Sequence, residues 1–526
     1  MQKLPIGIQA FEVLRSRGYL YVDKTQTIHQ LVTEGMYYFL ARPRRFGKSL
    51  LVSTLKCLFQ GRRELFTGLW IAEQSDWQWQ PHPVIVLDFN GIAHDSPEVL
   101  QRDLTAKLAS LAAQAQVPLE GFSLVAKFGN LIQALHQQTG QPVVVLIDEY
   151  DKPLIEHLGK GPDELALAAA NRDILKGFFG VLKEADVSAA LRFVFLTGIT
   201  QFSKVSIFSA LNNLNNISMH EDYAELLGYT PAELTTYFAA YIQQLAAKFR
   251  QPATKIEALL AQHYDGYRFS EKNVHVYNPF SILQACNHKN FKDYWFETGT
   301  PTFLIHLLQQ AHYPLPQAEE LLVSRSIFTT FELHNLHPAA ALFQTGYLTI
   351  KNVEGRLYTL GYPNQEVKTA FTESLLYAWA ESVERTMSSH VLRLSRYLAQ
   401  ADLPAFFETI RAIFGSIPYD IGAKKDEAYF HTIFYLMISA SGGAAQSSVL
   451  TSRGRIDLVV TCPDRVYIIE FKCDQSADVA LRQIHAQGYP EQYRRQGKEL
   501  LLLGLNFSTE ERNLAMWKIE RIARSR

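Results

Sequence analysis

Residues 36–49 read MYYFLARPRRFGKS, and residues 143–151 read VVVLIDEYD. The first is an apolar run that enters a basic loop and continues into the helix-like SLLVSTLKCLF. A loop that cradles phosphate needs backbone N–H groups converging at a helix N-terminus, a lysine to reach the terminal phosphates, and a hydroxyl to hold Mg²⁺. Gly47, Lys48 and Ser49 fill that half of the pattern, while Arg42 stands where the pattern's first glycine is expected. The second run ends on Asp148 and Glu149. An aspartate at a strand tip can hold Mg²⁺ through water, and an adjacent glutamate can orient the attacking water. Each segment alone fits a basic turn or a solvated strand end; the two together point to nucleotide binding.

Working outward, VIVLDF (84–89) and LRFVFLTG (191–198) are two more apolar runs. Stretches 94–117 and 163–185 between the runs have helical length. Strands alternating with helices predict a parallel sheet covered on both faces. The fourth run ends in LTGIT. Thr197 or Thr200 can bring a hydroxyl to a γ-phosphate or simply terminate the strand, and Arg42, Arg44 and Arg45 can neutralise phosphate, contact a neighbour or face solvent. Both readings stand at this level. Residues 221–345 look mostly helical, a β-like patch covers 346–362, and helices resume from about 365 to 442.

The last block reads strand, strand, helix, strand: RIDLVV (455–460), VYIIEF (466–471), ADVALRQIHAQGY (477–489) and ELLLLGL (499–505), with TCPDR (461–465) as a turn. Asp457 lies 13 residues before Glu470, which opens Glu470–Phe471–Lys472. In a hairpin both carboxylates can reach one end of the sheet. With the carbonyl after Glu470 they offer hard oxygen ligands to Mg²⁺. Such an ion activates water and offsets charge on a scissile phosphate. Lys472 shares a strand face with Glu470. An ordinary exposed Glu–Lys pair is the plain alternative, and the hairpin length and following helix favour the metal site. Glu427 and Gln483 are secondary candidates. His431 reads as a packed helix histidine.

The chain has 526 residues, 47% of them hydrophobic and 20% charged, with Lys plus Arg 51 against Asp plus Glu 52. That composition supports large cores and excludes a mainly disordered or fibrous chain. The formal net charge of -1 excludes a global basic field, so nucleic acid requires a local patch. No apolar run reaches the ~18–20 residues that span a bilayer. The start, MQKLPIGIQAFEVLRSRGY, does not read as a secretory signal. Four cysteines form no CxxC pair, and a reducing cytoplasm is the simplest compartment.

With both constellations in view, the chain resembles a bacterial and archaeal family that pairs an N-terminal AAA-ATPase-like domain with a C-terminal PD-(D/E)XK nuclease-like domain. The matching stretches include YVDKT (21–25), RPRRFGKS (42–49), LIDEYDKP (146–153), TGITQFSKVSIFSALNNLNNIS (197–218), YDGYRFS (264–270), YNPFS (277–281), YWFETGTP (294–301), FQTGYLTI (343–350), GYPNQEV (361–367) and GRIDLVV…IIEFK (454–472). The resemblance implies an α/β fold class: a P-loop NTPase parallel sheet with helices on both faces, a helical middle region, and a C-terminal α/β restriction-endonuclease-like domain. The expected divisions are 1–220, 221–350 and 351–526. It also implies that Arg42 is the family's own variant of the loop.

The resemblance further implies ATP and Mg²⁺ at Lys48, Ser49 and Asp148, with Glu149 activating water. Arg45, Phe46, Gly47, Leu50 and Thr197 complete the candidate nucleotide contacts. A nuclease-type site is implied at Asp457, Glu470 and Lys472, with Asp457 and Glu470 as metal ligands. The expected activity is an ATP-binding, hydrolysing protein coupled to a Mg-dependent nuclease acting on nucleic acid, DNA ahead of RNA, with homo-oligomers open and no membrane partner. The competing expectation is a non-catalytic ATP-binding switch whose nuclease-like fold only holds nucleic acid or a partner protein. The intact Asp…Glu-x-Lys set favours the first, and the near-zero net charge mildly favours the second. A third reading makes the 221–345 region, with its aromatic segments, a partner surface, and Arg268 a nucleotide sensor.

Overall fold

The structure is a computed structural model that describes residues 1–201, 211–296, 302–311, 320–328, 336–380, 385–417, 426–451 and 454–522. Parts of the stretches 197–218 and 294–301 quoted above lie outside the described residues. The chain divides into two compact units, one comprising Met1–Ala311 and Leu322–Asn364, the other His312–Leu321 and Gln365–Arg526.

The first unit is built on a parallel sheet of β1 (Tyr37–Ala41), β2 (Val84–Asp88), β3 (Val143–Asp148), β4 (Leu191–Gly198) and β5 (Asn215–Asn216), in the order β2-β3-β4-β1-β5. Central strands of such a sheet are covered on both sides and so read as continuous apolar runs. Every residue of β1 and of β3 is buried. Helices Pro97–Ala115, Leu124–Thr139 and Pro162–Gly180 supply Leu104, Leu108, Phe128, Leu131 and Phe178 to one core against Val145 and Ile147. Register places Ala41 beside Gly198 and Asp88 beside Asp148, so the strand ends that carry chemistry share one edge. Ligand sites of open parallel sheets form at that carboxyl edge.

A second core joins Leu20 and Val22 to helices Pro231–Phe249, Ala253–Tyr264 and Pro279–His288. The YVDKT stretch locks this arrangement. Asp23 accepts the N–H of Thr25 at 2.8 Å and of Trp70 at 2.7 Å, and Lys24 pairs with Glu233 at 2.6 Å. Glu233 in turn closes a capping box with Thr230 at the head of helix Pro231–Phe249. The aromatic segments of this region are mostly core: Tyr264, Tyr267, Tyr277, Tyr294 and Trp295 are buried. A small sheet of β6 (Leu321–Ser324), β7 (Thr349–Glu354) and β8 (Leu357–Gly361) runs in the order β6-β8-β7.

The second unit carries β9 (Ala444–Thr451), β10 (Gly454–Thr461), β11 (Arg465–Cys473), β12 (Glu499–Ser508) and β13 (Asn513–Ile522), in the order β13-β12-β11-β10-β9. β10 and β11 form the expected antiparallel hairpin, and β11 and β12 are parallel across helix Ala477–Ala486. One face of the sheet packs Ile468, Leu500 and Leu502 on Leu481 and Ile484 of that helix. Phe471, on the other face, packs on Phe434 of helix Glu427–Ala440. Among the described residues no helix is long and apolar enough to cross a membrane.

Candidate functional site

In the first unit, β1 hands the chain to a loop that turns into helix Lys48–Phe59. Gly47 sits at φ 95°, where a side chain would be strained, and its N-cap position leaves the first N–H groups of the helix open to a ligand. Arg45 (φ 68°) and Glu149 (φ 50°) also take left-handed backbone, which for non-glycine residues persists where surroundings enforce it and clusters at functional sites. Lys48 is buried, and its ammonium donates to the carbonyls of Arg42 and Pro43, each at 3.1 Å. Burial holds its pKa below the usual lysine range, against the pull of Glu149 and Asp148.

Asp148 is 3% exposed, and its Oδ1 has no hydrogen-bond partner among the described residues. Burial pushes its carboxyl up to about 6; the Ser49 hydroxyl and Lys48 oppose this, and the charges of Glu149 and Asp88 add to it. A buried, unpartnered carboxylate oxygen beside a hydroxyl is what a hydrated divalent cation would satisfy. The donors therefore fit Mg²⁺ carried with a nucleotide. The cleft at this edge measures about 620 Å³, within the range that takes small ligands. Arg44, Lys48, Ser49, Asp88, Glu149 and Lys152 line its polar part; Tyr229, Pro279, Phe280 and Leu283 line an apolar part. Gly47 and Leu50 also face it, and the Arg45 guanidinium lies 4.8 Å from the Phe280 ring centre.

Two of the candidate contacts have their side chains engaged elsewhere. Thr197 is fully buried and donates its hydroxyl to the Leu40 carbonyl at 2.7 Å, so it ties β4 to β1 and has no free hydroxyl for a phosphate. The Phe46 side chain packs edge-on against Tyr267 at 4.9 Å and Phe269 at 5.3 Å and anchors the loop to the core. Arg42 answers a question the sequence left open. It is buried, donates to the carbonyls of Ala41, Ser218 and Tyr223, and lies 4.2 Å from the Phe269 ring centre. Burial lowers its pKa to about 9. It is a structural plug behind the loop. Arg268 is likewise spent on its own turn, donating to the carbonyls of Ser270 and Glu271.

Two carboxylates at this edge went unread in the sequence. Asp151 is buried and accepts from the N–H groups of Ile199 and Thr200 at 3.0 and 2.7 Å and from the Thr200 hydroxyl at 2.6 Å. It pins the end of β4 beside the cleft. A Cβ on Gly198 would fall 2.5 Å from Asp151 Oδ1, so only glycine fits there. Asp88 is the register partner of Asp148.

In the second unit, the ladder pairs Leu458 with Ile469, which sets Asp457 opposite Glu470. Opposed residues of an antiparallel pair share a face. Asp457 Oδ2 accepts the Phe471 N–H at 2.9 Å. Glu470 is 1% exposed; Gln483 donates to its Oε1, and its Oε2 has no partner among the described residues. Burial first, then the Asp457 charge, pushes the Glu470 carboxyl up to about 8, with Lys472 opposing. The Lys472 ammonium donates to the Phe471 carbonyl at 2.7 Å and lies 3.6 Å from Glu470 Oε1. Two carboxylates, the Phe471 carbonyl and Lys472 thus converge.

Supporting residues surround this centre. His431 Nε2 donates to the Asp457 carbonyl at 2.9 Å, a packed helix histidine that steadies β10. Glu427 is close enough for its carboxyl, raised by burial, to feel both Lys472 and Asp457. Tyr489, unread in the sequence, donates to the Arg455 carbonyl at 2.8 Å and lies within range of the Glu470 charge. Among the described residues no three His, Cys, Asp or Glu side chains gather as a metal cage. A cation here would rest on Asp457, Glu470 and the Phe471 carbonyl, and the orphaned Glu470 oxygen fits that set.

The raised Glu470 carboxyl has a thermodynamic consequence. Between its ordinary value of 4.5 and about 8 the unfolded chain loses this proton before the folded one does. The stabilising contribution of the neutral carboxyl is therefore full below 4.5 and is lost as pH rises to about 8. In chelator, Glu470→Gln is expected to stabilise the second unit at pH 8, by on the order of a few kcal/mol at most and with a higher melting temperature, and to change its stability little at pH 5. Calorimetric melts at the two pH values check this; an equal shift at both would contradict it.

Comparison with known proteins gives a family match in each of the two units. Residues 5–208 match a family described as predicted AAA-ATPase, and residues 425–517 match the PD-(D/E)XK nuclease superfamily. A protein of Azotobacter chroococcum mcd 1, described as an uncharacterized protein in the vnfD 5′ region, is 37% identical over 537 residues, spanning 99% of each chain.

Proposed function

The chain belongs to the family that joins an AAA-ATPase-like domain to a PD-(D/E)XK nuclease-superfamily domain, and from this we propose that it is an ATP hydrolase coupled to a divalent-metal-dependent nuclease acting on DNA. The observation that carries the nuclease half is the face shared by Asp457 and Glu470, one of whose oxygens is buried without a partner. Such an oxygen costs free energy unless a cation or proton meets it.

Asp457, Glu470 and the Phe471 carbonyl would hold a divalent ion, which would supply charge neutralisation at the scissile phosphate and ease ionisation of water. Lys472 gives up its bond to the Phe471 carbonyl and turns its ammonium to the phosphoryl oxygens. Gln483 fixes the orientation of Glu470. Water adds to phosphorus and the ester P–O bond breaks, leaving a phosphomonoester and an alcohol. In the first unit the open N–H groups after Gly47, with Lys48, grip the triphosphate. Ser49 and Asp148 would hold the Mg²⁺ that accompanies the nucleotide, and Glu149 takes the proton of the attacking water as ATP becomes ADP and phosphate.

Incubating the full chain with plasmid, single-stranded DNA and RNA tests the reading. The arms contain Mg²⁺ or Mn²⁺ or chelator, each with and without ATP. DNA cleavage that requires the divalent ion is expected. ATP turnover with every polymer intact would remove the nuclease half, and cleavage of RNA alone would overturn the choice of DNA.

A further inference from the structure

Transfer of a terminal phosphoryl group spreads negative charge over its equatorial oxygens, and a fixed cation on the side of the attacking water lowers that barrier. The cleft cations have distinct places. Lys48 is held inside its loop by the Arg42 and Pro43 carbonyls. Arg44 lines the cleft on the loop side, close enough for its charge to act on Lys48, and Arg45 lies over Phe280, at the apolar end. β4 runs between β1 and β3, yet both hydroxyls at its end are committed, Thr197 to Leu40 and Thr200 to Asp151.

That leaves the edge formed by β2 and β3. Lys152 follows Glu149 by three residues and opens the short helix Lys152–Ile155. It lines the cleft with Asp88, Asn90, Glu149 and Glu156. Its ammonium donates to Asn90 Oδ1 at 3.1 Å and lies 3.5 Å from Glu156 Oε1. The other Glu156 oxygen is held by His94 Nε2 at 2.9 Å, so Glu156 keeps a partner when Lys152 moves. Glu156 is half exposed, and ion pairs of that kind contribute about 0–1 kcal/mol. A charge-assisted bond to a phosphate oxygen is stronger, roughly twice a neutral hydrogen bond. The Glu156 pair is thus weak enough to open, and a phosphate oxygen offers the ammonium a charge-assisted bond in its place.

We propose that Lys152 is a catalytic residue of the ATPase cleft, its ammonium leaving Glu156 to contact a γ-phosphoryl oxygen beside the water that Glu149 orients. The inference rests on the ATPase reading above. The water oxygen bonds to the γ-phosphorus, the bond to the bridging oxygen breaks, and the water proton passes to Glu149, with Lys152 contributing charge and no proton.

The test uses the full chain and four variants, Lys152→Ala, Lys152→Arg, Asn90→Ala and Glu156→Gln. Steady-state ATPase kinetics are combined with affinities for ADP alone and for ADP with aluminium fluoride. Lys152→Ala is expected to lower kcat by ~100-fold or more while KM stays within about 3-fold. It should keep ADP affinity and lose the gain that aluminium fluoride adds. Lys152→Arg should recover part of kcat, and Asn90→Ala and Glu156→Gln should each cost less than about 10-fold. Unchanged kcat in Lys152→Ala overturns the proposal. So does equal loss of ADP and ADP–fluoride affinity, or a full kcat defect in Asn90→Ala or Glu156→Gln, since the lysine would then only tie loops together. Wild-type protein that binds no nucleotide removes the ATPase reading and this inference together; a negative result confined to Lys152 leaves that reading standing.

Discussion

Asp457→Ala is expected to abolish DNA cleavage, by at least ~10³-fold, while leaving the protein folded. The side chain accepts one backbone N–H, that of Phe471, and is only partly buried, so its removal leaves no large cavity. What it removes is one of the two carboxylates that would together hold the proposed cation. Lys472→Ala is expected to cost about 10²–10³-fold by removing a cation from the developing phosphoryl charge, with metal affinity nearly intact. The pair separates the roles: loss of metal and activity together in one variant, loss of activity alone in the other. Titrating Mn²⁺ against each variant and timing plasmid nicking reads both. Nicking that persists at the wild-type rate in Asp457→Ala would point to a contaminating enzyme.

Lys48→Ala carries the second large effect. The ammonium now bridges two loop carbonyls and would exchange them for β- and γ-phosphate oxygens. Charge-assisted bonds of that kind contribute about 1.5–3 kcal/mol each, so ATP affinity should fall by at least ~30-fold. The rise in melting temperature that ATP produces should shrink, because stabilisation by a ligand grows with the logarithm of its concentration over Kd. Asp457→Ala should retain that rise, since Asp457 belongs to the other compact unit. A thermal melt of each protein with and without Mg-ATP decides it. Undiminished affinity in Lys48→Ala would show that the cleft is not the nucleotide site.

What could be read from the sequence follows from the range of the interactions. The strands around the cleft are continuous apolar runs because the sheet is covered on both faces, and the runs MYYFLA and VVVLID became β1 and β3 nearly residue for residue. The β10–β11 hairpin was legible because a three-residue connection fixes its register, and register alone decides that Asp457 opposes Glu470. Local signals stop there. The role of Arg42 stayed open because its partners, Ser218 and Tyr223, lie more than 170 residues away. Thr197 was read forward along the chain, while its hydroxyl bonds sideways to Leu40. Asp88 and Asp151 gained meaning only from strand order and from the end of β4.

Two strands of the second unit escaped for compositional reasons. β9, AAQSSVLT, is small and polar with weak strand preference. β13, NLAMWKIERI, lies at the sheet edge, where most of its side chains are exposed or half-buried. Gln483 could be placed on a helix after the metal strand, but its bond to Glu470 depends on how that helix crosses the sheet.

The most direct test of the account is Mn²⁺ binding at pH 8 without nucleotide, followed by electron paramagnetic resonance. It compares wild type with the Asp457→Ala, Glu470→Gln double variant. Retention of one ion by the wild type and its loss from the variant is the predicted result. Equal retention by both proteins would contradict the claim that this carboxylate pair is a metal site.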